Sequence, residues 1–281
     1  MRLLLVVLSL VAAAIAPPLS AETDLFAYDR SAPLNLHEVG KEQRGAATIH
    51  DITFVGTKTP VKAYLVTPAI PGPHAAILYV HWLGEPKTTN RTEFLDEAVK
   101  FAGQGVVSLL VDAMWAEPDW YGKRIPEEDY DRSVRQVIEL RRALDVLSAQ
   151  PGIDPHRIAL VAHDFGAMYG LIAGALDKRP KTYVFMAAVP HFIDWHLFDH
   201  QPKNPKSYQK QMAPLDPVNF TSQLARASVF FQFAHKDKYV SATQAAEFYA
   251  ATSPRIQMAT YEGGHDLHTA EVAADRGAWL T

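Results

Sequence analysis

The chain has 281 residues, enough for one large α/β domain or two small ones with a substantial core. Its 27 Lys and Arg residues against 31 Asp and Glu residues give a net charge of -4 without a basic stripe, which argues against nucleic acid as a partner. A composition of 48% hydrophobic and 21% charged residues is that of an ordinary soluble globule. The lack of cysteine excludes disulfides, thiolate metal sites and cysteine nucleophiles.

The first 21 residues have the pattern of a secretory signal peptide. Arg2 precedes an apolar run from Leu3 to Ala16, and small residues follow before the chain becomes polar. We therefore predict cleavage near Ala21 and a secreted or periplasmic mature chain with no integral membrane span. The alternative is an uncleaved N-terminal membrane anchor. Residues 22–44 are polar and are predicted to form an extended N-terminal arm.

Residue types then predict one α/β domain over residues 45–281. Two strands, 47–55 and 61–66, flank a Gly- and Pro-containing turn and form a predicted hairpin. From residue 75 onward strands and helices alternate, which favours a doubly wound, mostly parallel sheet with antiparallel N-terminal strands. The predicted later strands are 75–80, 106–111, 158–161, 182–189, 229–234 and 256–261. The predicted helices are 93–103, 134–147, 242–251, 270–280 and one that starts after Phe165. Residues 190–214 are predicted to be a short irregular insert.

A sharp strand-to-helix turn is predicted at Asp164. The apolar run Ile158–Val161 suits a buried strand, and the residues after Gly166 have helical spacing. Ala162 and Gly166 lie two residues before and after Asp164, where larger side chains would collide with neighbouring backbone. The Asp164 side chain would then project beyond the strand end. The alternative is an ordinary βα turn with Asp164 as a helix cap.

Two further polar residues also follow predicted strands. Asp237 lies just after strand 229–234, and His265 lies just after strand 256–261. Ligands in open α/β sheets bind beyond the carboxyl ends of the strands, so Asp164, Asp237 and His265 are expected to meet there. Side chains of these types, held together, could serve as nucleophile, orienting acid and base in nucleophilic catalysis. Singly, Asp237 is also a common turn residue and His265 a common loop residue.

These features resemble the α/β-hydrolase superfamily over residues 45–281. Ala162-His163-Asp164-Phe165-Gly166 resembles the nucleophile elbow G-x-S-x-G, and the order of the three site residues matches. The resemblance implies an oxyanion hole made by the backbone N–H groups of Phe165 and Leu83, with Trp82 as the alternative to Leu83. Asp154–Ile158 and Asp237–Val240 are similar to motifs of the dienelactone-hydrolase-like and prolyl-oligopeptidase-like branch.

The elbow departs from that branch because it carries Asp164 where Ser or Cys is usual. In this respect it is similar to epoxide hydrolases and haloalkane dehalogenases. A carboxylate, with an ordinary pKa of about 3.9, is ionised at neutral pH and needs no activating base. Its attack on an ester would give a mixed anhydride that reverts readily, whereas attack on a saturated carbon gives a stable alkyl ester. His265, oriented by Asp237, would then activate water to cleave that ester.

Not every part of those two enzyme classes is visible in the sequence. Phe165 stands where such dehalogenases usually have a Trp, and it has no N–H for a halide. The insert contains Tyr208 as its one tyrosine, whereas epoxide hydrolases use two from a cap. Two alternatives therefore stay open: Asp164 as a general base on water, in ester or lactone hydrolysis, and a non-catalytic binding protein of the same fold.

The remaining aromatic and histidine residues bear on the substrate pocket. Residues predicted to line it are Trp115, Trp120, Tyr121, His191 and Trp195. The insert also holds His191, Asp194, His196, Asp199 and His200, with His196 and His200 at a spacing that suits metal ligation. Interleaved aromatic residues favour a lid over a metal site, so no metal and no cofactor are expected. His81 and His163 are expected to hold loops together. The expected partner is a small-molecule substrate; the oligomeric state is left open.

Overall fold

The computed structural model describes residues 25–84, 90–252 and 255–281. In this part of the chain the backbone forms one nine-stranded sheet in the order β1-β2-β3-β5-β4-β6-β7-β8-β9. The strands are β1 His37–Arg44, β2 Ala47–Val55, β3 Pro60–Pro68, β4 His74–Val80, β5 Val106–Val111, β6 Ile153–His163, β7 Thr182–Met186, β8 Ser228–Ala234 and β9 Ile256–Tyr261. The predicted signal peptide, residues 1–21, lies outside the described residues.

The sheet is antiparallel at one side and parallel elsewhere, which confirms the predicted fold class. β1, β2, β3 and β5 pair antiparallel in succession. β5, β4, β6, β7, β8 and β9 pair parallel. The central parallel strands are buried and rich in Val, Leu and Phe, as expected for strands covered by helices on both faces. Their carboxyl ends therefore meet at one edge of the sheet.

The predicted N-terminal arm is wrong for residues 37–44, which form edge strand β1. Its residues are almost all exposed, so they carry no alternation of buried and polar side chains. The strand exists because its backbone groups pair with those of β2, from His37 opposite Thr53 to Arg44 opposite Ala47. A backbone ladder of this kind leaves little trace in the pattern of residue types.

Helices cover the sheet and connect its strands. They are α1 Leu95–Ala102, α2 Trp120–Lys123, α3 Asp129–Ser148, α4 Phe165–Leu176, α5 Phe192–His196, α6 Pro205–Met212, α7 Ala242–Ala251 and α8 Ala270–Leu280. The elbow helix α4 is buried over eleven of its residues. Its close approach to the sheet depends on Gly174, where an added Cβ would lie 2.4 Å from the Tyr183 ring. In the described residues no helix is long and apolar enough to cross a membrane.

The insert at residues 190–214 is more regular than predicted, since it contains α5 and α6. A buried polar cluster attaches it to the body of the domain. Arg124 donates to Asp129 and to the His196 carbonyl, and the Tyr208 hydroxyl donates to Asp129 over 2.6 Å. Asp129 lies at the start of α3, so α6 is tied to this carboxylate directly and α5 is tied to it through Arg124.

Candidate active site

The sharp turn between β6 and α4 places Asp164 at the carboxyl edge of the sheet. Asp164 has φ 57° and ψ -123°, a positive-φ conformation outside the left-handed helical region and strained for a residue other than Gly, as is common at functional sites. Two residues later, a Cβ on Gly166 would lie 2.5 Å from the His81 carbonyl oxygen and 2.6 Å from that of Val80. Gly is therefore required for α4 to start this close to the end of β4. The predicted strand-turn-helix is confirmed.

His265 lies within hydrogen-bond reach of both predicted carboxylates. Its Nε2 is 3.2 Å from Asp164 Oδ1, and its Nδ1 is 2.8 Å from Asp237 Oδ2 and 3.0 Å from Oδ1. Asp237 also accepts the backbone N–H groups of Tyr239 and Val240. The side chains of Asp164 and Asp237 are almost completely buried and that of His265 is only 11% exposed. The predicted geometry of the three residues is confirmed; their catalytic role remains a prediction.

The two carboxylates hold a proton on His265. Burial by itself favours the neutral imidazole, but the hydrogen bonds and negative charges of Asp164 and Asp237 outweigh it and raise the pKa of His265 to about 9. The pKa of Asp237 is lowered: burial opposes this shift, and the hydrogen bond and charge of His265 cause it. At neutral pH the site is therefore an imidazolium between two carboxylates.

One predicted oxyanion amide points at the Asp164 carboxylate. The Leu83 N–H donates to Asp164 Oδ2 over 2.7 Å. The alternative donor, Trp82, is wrong, because its N–H donates to Glu93 Oε2 over 2.8 Å. The Phe165 N–H, which directly follows Asp164 at the start of α4, remains a predicted second donor. The two oxygens of Asp164 thus have different partners, with Oδ1 facing His265 and Oδ2 lying in the predicted oxyanion hole.

Glu93 and His163 lie directly behind these residues. His163 Nδ1 is 2.7 Å from Glu93 Oε1, and His163 Nε2 is 3.0 Å from the His265 carbonyl oxygen. His268 Nε2 is 3.8 Å from the same Glu93 oxygen. Burial alone would raise the pKa of Glu93, but the charge and hydrogen bond of His163, with help from His268 and the Trp82 N–H, lower it to about 2. The expectation that His81 and His163 hold loops together agrees with these contacts and with the Ala113 N–H donated to His81.

Glu93, His163 and His268 are also the group of described residues whose spacing could hold a metal ion. One ligand atom of each lies within 4.8 Å of the others. The contact between Glu93 and His163 is, however, a direct hydrogen bond, so the space between two of the three ligands is closed. The insert residues considered above do not converge. His196 is fully buried and its pKa is lowered well below the usual range, by burial and by nearby Arg124.

A cavity of about 340 Å³ opens over Asp164 and His265. Its walls are mostly aromatic: Trp82, Leu83, Tyr121, Asp164, Phe165, Trp195, Phe198, Asp199, Tyr239 and His265. This volume is near the lower end of the range for small-molecule pockets. A second cavity, of about 450 Å³, lies at the opposite, amino end of the strands beside His74, Val106 and Thr182. Ligands of open α/β sheets bind at the carboxyl end, so the smaller cavity is the candidate site.

Tyr121 and Trp195 line this cavity as predicted, whereas three other residues do not. Trp115 is buried beneath the wall, stacked on Tyr169, and its indole donates to the His81 carbonyl. Trp120 is buried against Phe165. These two predictions are wrong because large indoles after β5 fill the core under the elbow.

The pocket prediction is also wrong for His191. It pairs with Asp216 and Glu247, 2.9 and 3.0 Å away. Those bonds and charges raise its pKa although burial opposes the shift.

Sequence reasoning missed several residues around the cavity. Phe198 and Asp199 follow α5, Tyr239 follows Asp237, and Glu93 precedes α1. The clearest available signal was Tyr239, because it belongs to the Asp237–Val240 motif. The hydroxyl of Tyr121 donates to the Trp195 carbonyl and the Trp195 indole donates to the Tyr239 carbonyl. These two hydrogen bonds therefore connect Tyr121, Trp195 and Tyr239 within the wall of the cavity.

Comparisons with known proteins place this geometry in a broader context. No family model matches the chain. A polyketide transferase of Stachybotrys chlorohalonatus is 36% identical over 98 residues, which is 35% of this chain and 32% of that protein. This chain thus matches about a third of the length of that curated relative, too little to establish a shared activity.

The solved structures match over nearly the whole chain. An acetyl xylan esterase from Paenibacillus sp. R4 has a TM-score of 0.74 and 17% identity, covering 92% of this chain and 90% of that chain. An acetyl xylan esterase from Thermoanaerobacterium sp. JW/SL YS485 has a TM-score of 0.72 and 13% identity, covering 93% and 90%. A glucuronoyl esterase from Solibacter usitatus has a TM-score of 0.66 and 15% identity, covering 93% and 91%. Together with the strand order and the elbow at Asp164, these similarities show that the chain has the α/β-hydrolase fold.

Proposed function

We propose that this protein is a hydrolase of small, mostly apolar molecules, in which Asp164 forms a covalent ester with the substrate. Asp164 Oδ1 forms a bond to a saturated carbon as the bond from that carbon to an epoxide oxygen or halide breaks, and the electron pair leaves with that group. The His265 imidazolium gives its proton to the opened epoxide oxygen, or to solvent when a halide leaves. Water then gives a proton to His265 and attacks Cγ of Asp164. The Cγ–Oδ1 bond breaks, and the alcohol oxygen takes the proton back from His265. The second proton of the attacking water then passes from the Asp164 carboxyl group to His265, which restores the carboxylate and the imidazolium.

The placement of Asp164 Oδ2 is the observation that carries this proposal. Its hydrogen bond from Leu83 puts the oxygen where negative charge develops when water attacks the ester carbon. The amide thus supports the second step without any rearrangement. Oδ1 is the oxygen on the His265 side, and both residues line the cavity. A carboxylate held in this way has one oxygen for bond formation and one for charge stabilisation.

A general-base role for Asp164 is less well supported. In that mechanism Asp164 keeps its charge, so His265, whose pKa is raised to about 9, already carries its proton at neutral pH and cannot take one from water. The Asp164 carboxylate would have to accept that proton without the help of His265. In the covalent sequence the imidazole first has to lose its proton, and esterification favours this because it removes the negative charge of Asp164.

The cavity supports an uncharged or cationic substrate. Among the described residues, its lining contains the carboxylates of Asp164 and Asp199, the single cation of His265 and no Lys or Arg, and most of its wall is aromatic. An anionic substrate would meet like charge there, while aromatic faces suit apolar groups and organic cations. We propose on the same grounds a small organic substrate without a carboxylate or phosphate group.

Ester hydrolysis is the second candidate, because the solved structures of similar fold are named as esterases. For this chain it would require Asp164 either to activate water or to form a mixed anhydride. A non-catalytic protein of the same fold is the third. We also propose that the protein is exported, as residues 1–21 predict. Cell fractionation tests this, and the protein is expected in the medium or the periplasm.

Labelled water distinguishes the covalent mechanism from the general-base mechanism. In a single turnover in H₂¹⁸O, with enzyme in excess over an epoxide or an activated ester, a covalent mechanism delivers unlabelled oxygen to the product. The label then appears in a peptide containing Asp164. Direct attack by water would put ¹⁸O into the product and leave the peptide unlabelled.

Two variants test the roles separately. We expect Asp164→Asn to abolish turnover, because a neutral amide does not attack carbon. We expect His265→Gln to accumulate an alkyl-enzyme, seen as a stable mass increase of the intact protein, because attack needs the carboxylate and hydrolysis needs the base. Full activity of a folded Asp164→Asn variant would contradict every catalytic role proposed for this residue. No turnover of epoxides, haloalkanes or esters by the wild-type protein would favour the non-catalytic alternative.

A further inference from the structure

Three segments of the site are attached to the same buried pair, Glu93 and His163. They are the loop with Leu83, the turn with Asp164 and the loop with His265. Glu93 Oε2 accepts the Trp82 N–H, one residue before the Leu83 N–H that contacts Asp164. His163 directly precedes Asp164 in the chain. His163 Nε2 contacts the backbone carbonyl of His265 itself. One pair thereby reaches the oxyanion loop, the elbow and the loop that carries the base.

Glu93 and His163 are buried and closely packed. The side chain of Glu93 is 1% exposed and that of His163 is fully buried. The Trp82 indole stacks on the His163 ring, with centroids 5.2 Å apart and planes inclined by 5°. The Glu93 carboxylate thus contacts the backbone N–H of Trp82 and the side chain of His163, while the Trp82 indole covers the ring of His163.

Hydrogen-bond chemistry requires charge in this pair. Each ring nitrogen of His163 faces an oxygen that only accepts, a carboxylate at Nδ1 and a carbonyl at Nε2. A ring that donates at both nitrogens is cationic, and the Glu93 carboxylate is its counter-charge. Removing one member of a buried pair leaves the other uncompensated, so the contacts depend on both.

We propose that Glu93 and His163 are positioning residues, which hold the Leu83 amide and His265 on opposite sides of the Asp164 carboxylate. Neither residue lines the cavity or touches the reacting atoms. Their effect is on distance, because Leu83 N and His265 Nε2 must stay at 2.7 and 3.2 Å from different oxygens of one carboxylate. Displacement of about 1 Å at such a site can lower a rate by roughly 10²-fold.

The chain offers a matched control for Glu93. Glu97 follows it by four residues and pairs with buried Arg276, with Oε2 2.5 Å from Nη2, but it does not contact the site. Glu93→Ala and Glu97→Ala each remove a carboxylate from a largely buried pair near α1. A loss of stability common to both variants is structural. An effect found in Glu93→Ala alone reports on the site.

The first readout is the titration of His265 in the substrate-free protein, monitored by ¹⁵N NMR of its ring. We expect Glu93→Ala to lower the pKa of His265 from about 9 by about one unit or more, because the distance to Asp164 is no longer held. Glu97→Ala should leave that titration within a few tenths of a unit. Glu93→Gln is the conservative variant: its amide can donate to His163 Nδ1 while its oxygen accepts the Trp82 N–H. It should retain most of the wild-type titration.

The second readout rests on the proposed function and uses a hydrolysed substrate. Glu93→Ala should lower kcat by roughly 10²-fold with little change in KM. Glu93→Gln should restore most of this loss. The titration needs no substrate, so an inactive wild-type protein would sink the proposed function while leaving the positioning inference testable.

The inference is overturned if His265 titrates alike in folded Glu93→Ala and wild type, or if Glu97→Ala shifts it as much. Should Glu93→Ala not fold, as judged by circular dichroism, His163→Gln replaces it. A Gln side chain there has one nitrogen in place of the two ring nitrogens that contact Glu93 and the His265 carbonyl, so it is expected to break one of the two links. An unchanged His265 titration in folded His163→Gln would equally contradict the proposed positioning role.

Discussion

The pKa of His265, the central residue of the site, depends on the charge of Asp164. Between two carboxylates it keeps its proton, because its pKa is raised to about 9. Esterification of Asp164 removes one of those negative charges and leaves Asp237 alone to stabilise the imidazolium. The pKa of His265 then falls, and the imidazole can accept a proton from water at the stage at which a base is needed.

The raised pKa of His265 also predicts how stability depends on pH. A proton bound more tightly in the folded protein stabilises it below the unfolded pKa of about 6.5, and this contribution is lost as pH rises to about 9. The shift in the pKa of His265 contributes on the order of 3 kcal/mol to the free energy of unfolding at low pH. We expect urea denaturation to show falling stability over this interval.

Two variants are controls for this measurement. In His265→Gln the free energy of unfolding should fall much less over the same pH interval, because the titrating group is gone. In Asp164→Asn, His265 loses one carboxylate partner and its pKa should lie closer to 6.5. Equal pH dependence in wild type and His265→Gln would show that another group is responsible.

Replacement of Asp164 by Ser tests the oxyanion hole at the same position. The turn can present a Ser hydroxyl, and His265 and Asp237 are in place to deprotonate it. With the Leu83 amide available, Asp164→Ser should gain esterase activity on small activated esters and lose any activity on epoxides or halides. An oxyanion donor contributes roughly 10²–10³-fold in rate in other enzymes. A folded variant with no esterase activity would indicate that His265 or the amide is misplaced for acyl transfer.

At the level of elements, the site depends on the contact between the start of α4 and the end of β4. Gly166 lies against the Val80 and His81 carbonyl oxygens, at distances that no Cβ can occupy. Gly166→Ala should therefore lower the free energy of unfolding by about 1–3 kcal/mol and displace Asp164 from Leu83. Urea denaturation and the His265 titration would measure the two effects.

Gly277→Ala in α8 is the matched control for that substitution. A Cβ at Gly277 would meet the Phe101 ring at 3.9 Å, which is an ordinary contact. Because Ala favours helix over Gly, this variant should be as stable as wild type or slightly more so. If Gly166→Ala were equally well tolerated, the close packing of the elbow on β4 would not be needed.

The insert is fixed to the body through Asp129, which links α3, Arg124 and Tyr208. Tyr208→Phe removes the hydroxyl that donates to Asp129 in a buried setting. We expect a loss of about 1 kcal/mol or more in the free energy of unfolding and faster amide exchange in α6. Exchange that increases equally in α7 would contradict a local attachment of the insert.

For the molecule as a whole, the charge of the cavity should select its ligands. Asp199 lies on the rim among aromatic residues, and the lining residues that the structure describes include no Lys or Arg. Phenyltrimethylammonium should therefore bind more tightly than benzenesulfonate in calorimetry. Asp199→Lys should reduce that preference roughly three- to tenfold at low salt, because the added charge has the opposite sign.

Asp199→Asn and added salt are the controls for that prediction. The Asn variant should lie between wild type and Asp199→Lys, and salt near 1 M, where charges are screened within about 3 Å, should weaken the preference. An unchanged preference in Asp199→Lys would show that the rim charge does not select ligands and that aromatic contacts alone decide binding.

Much of this architecture could be predicted from residue types. Buried parallel strands are continuous apolar runs, and their carboxyl ends share one edge of the sheet, so residues following three strands were expected to meet there. Small residues around Asp164 indicated the sharp turn for steric reasons. Export stays a prediction, because residues 1–21 lie outside the described part of the chain.

What tertiary structure decided was the direction of side chains and the assignment of donors. Trp115 and Trp120 are aromatic residues after a strand, like true pocket residues, but packing under the elbow turned them inward. Glu93 begins the predicted helix 93–103 and carries no sequence signal of a site residue, yet its side chain is buried, where His163 and the Trp82 amide compensate its charge. Sequence spacing by itself determines which strand end a residue follows. Which oxygen of Asp164 faces Leu83 and which faces His265 depends on contacts 81 and 101 residues apart in the chain, and only the packed fold brings those groups together.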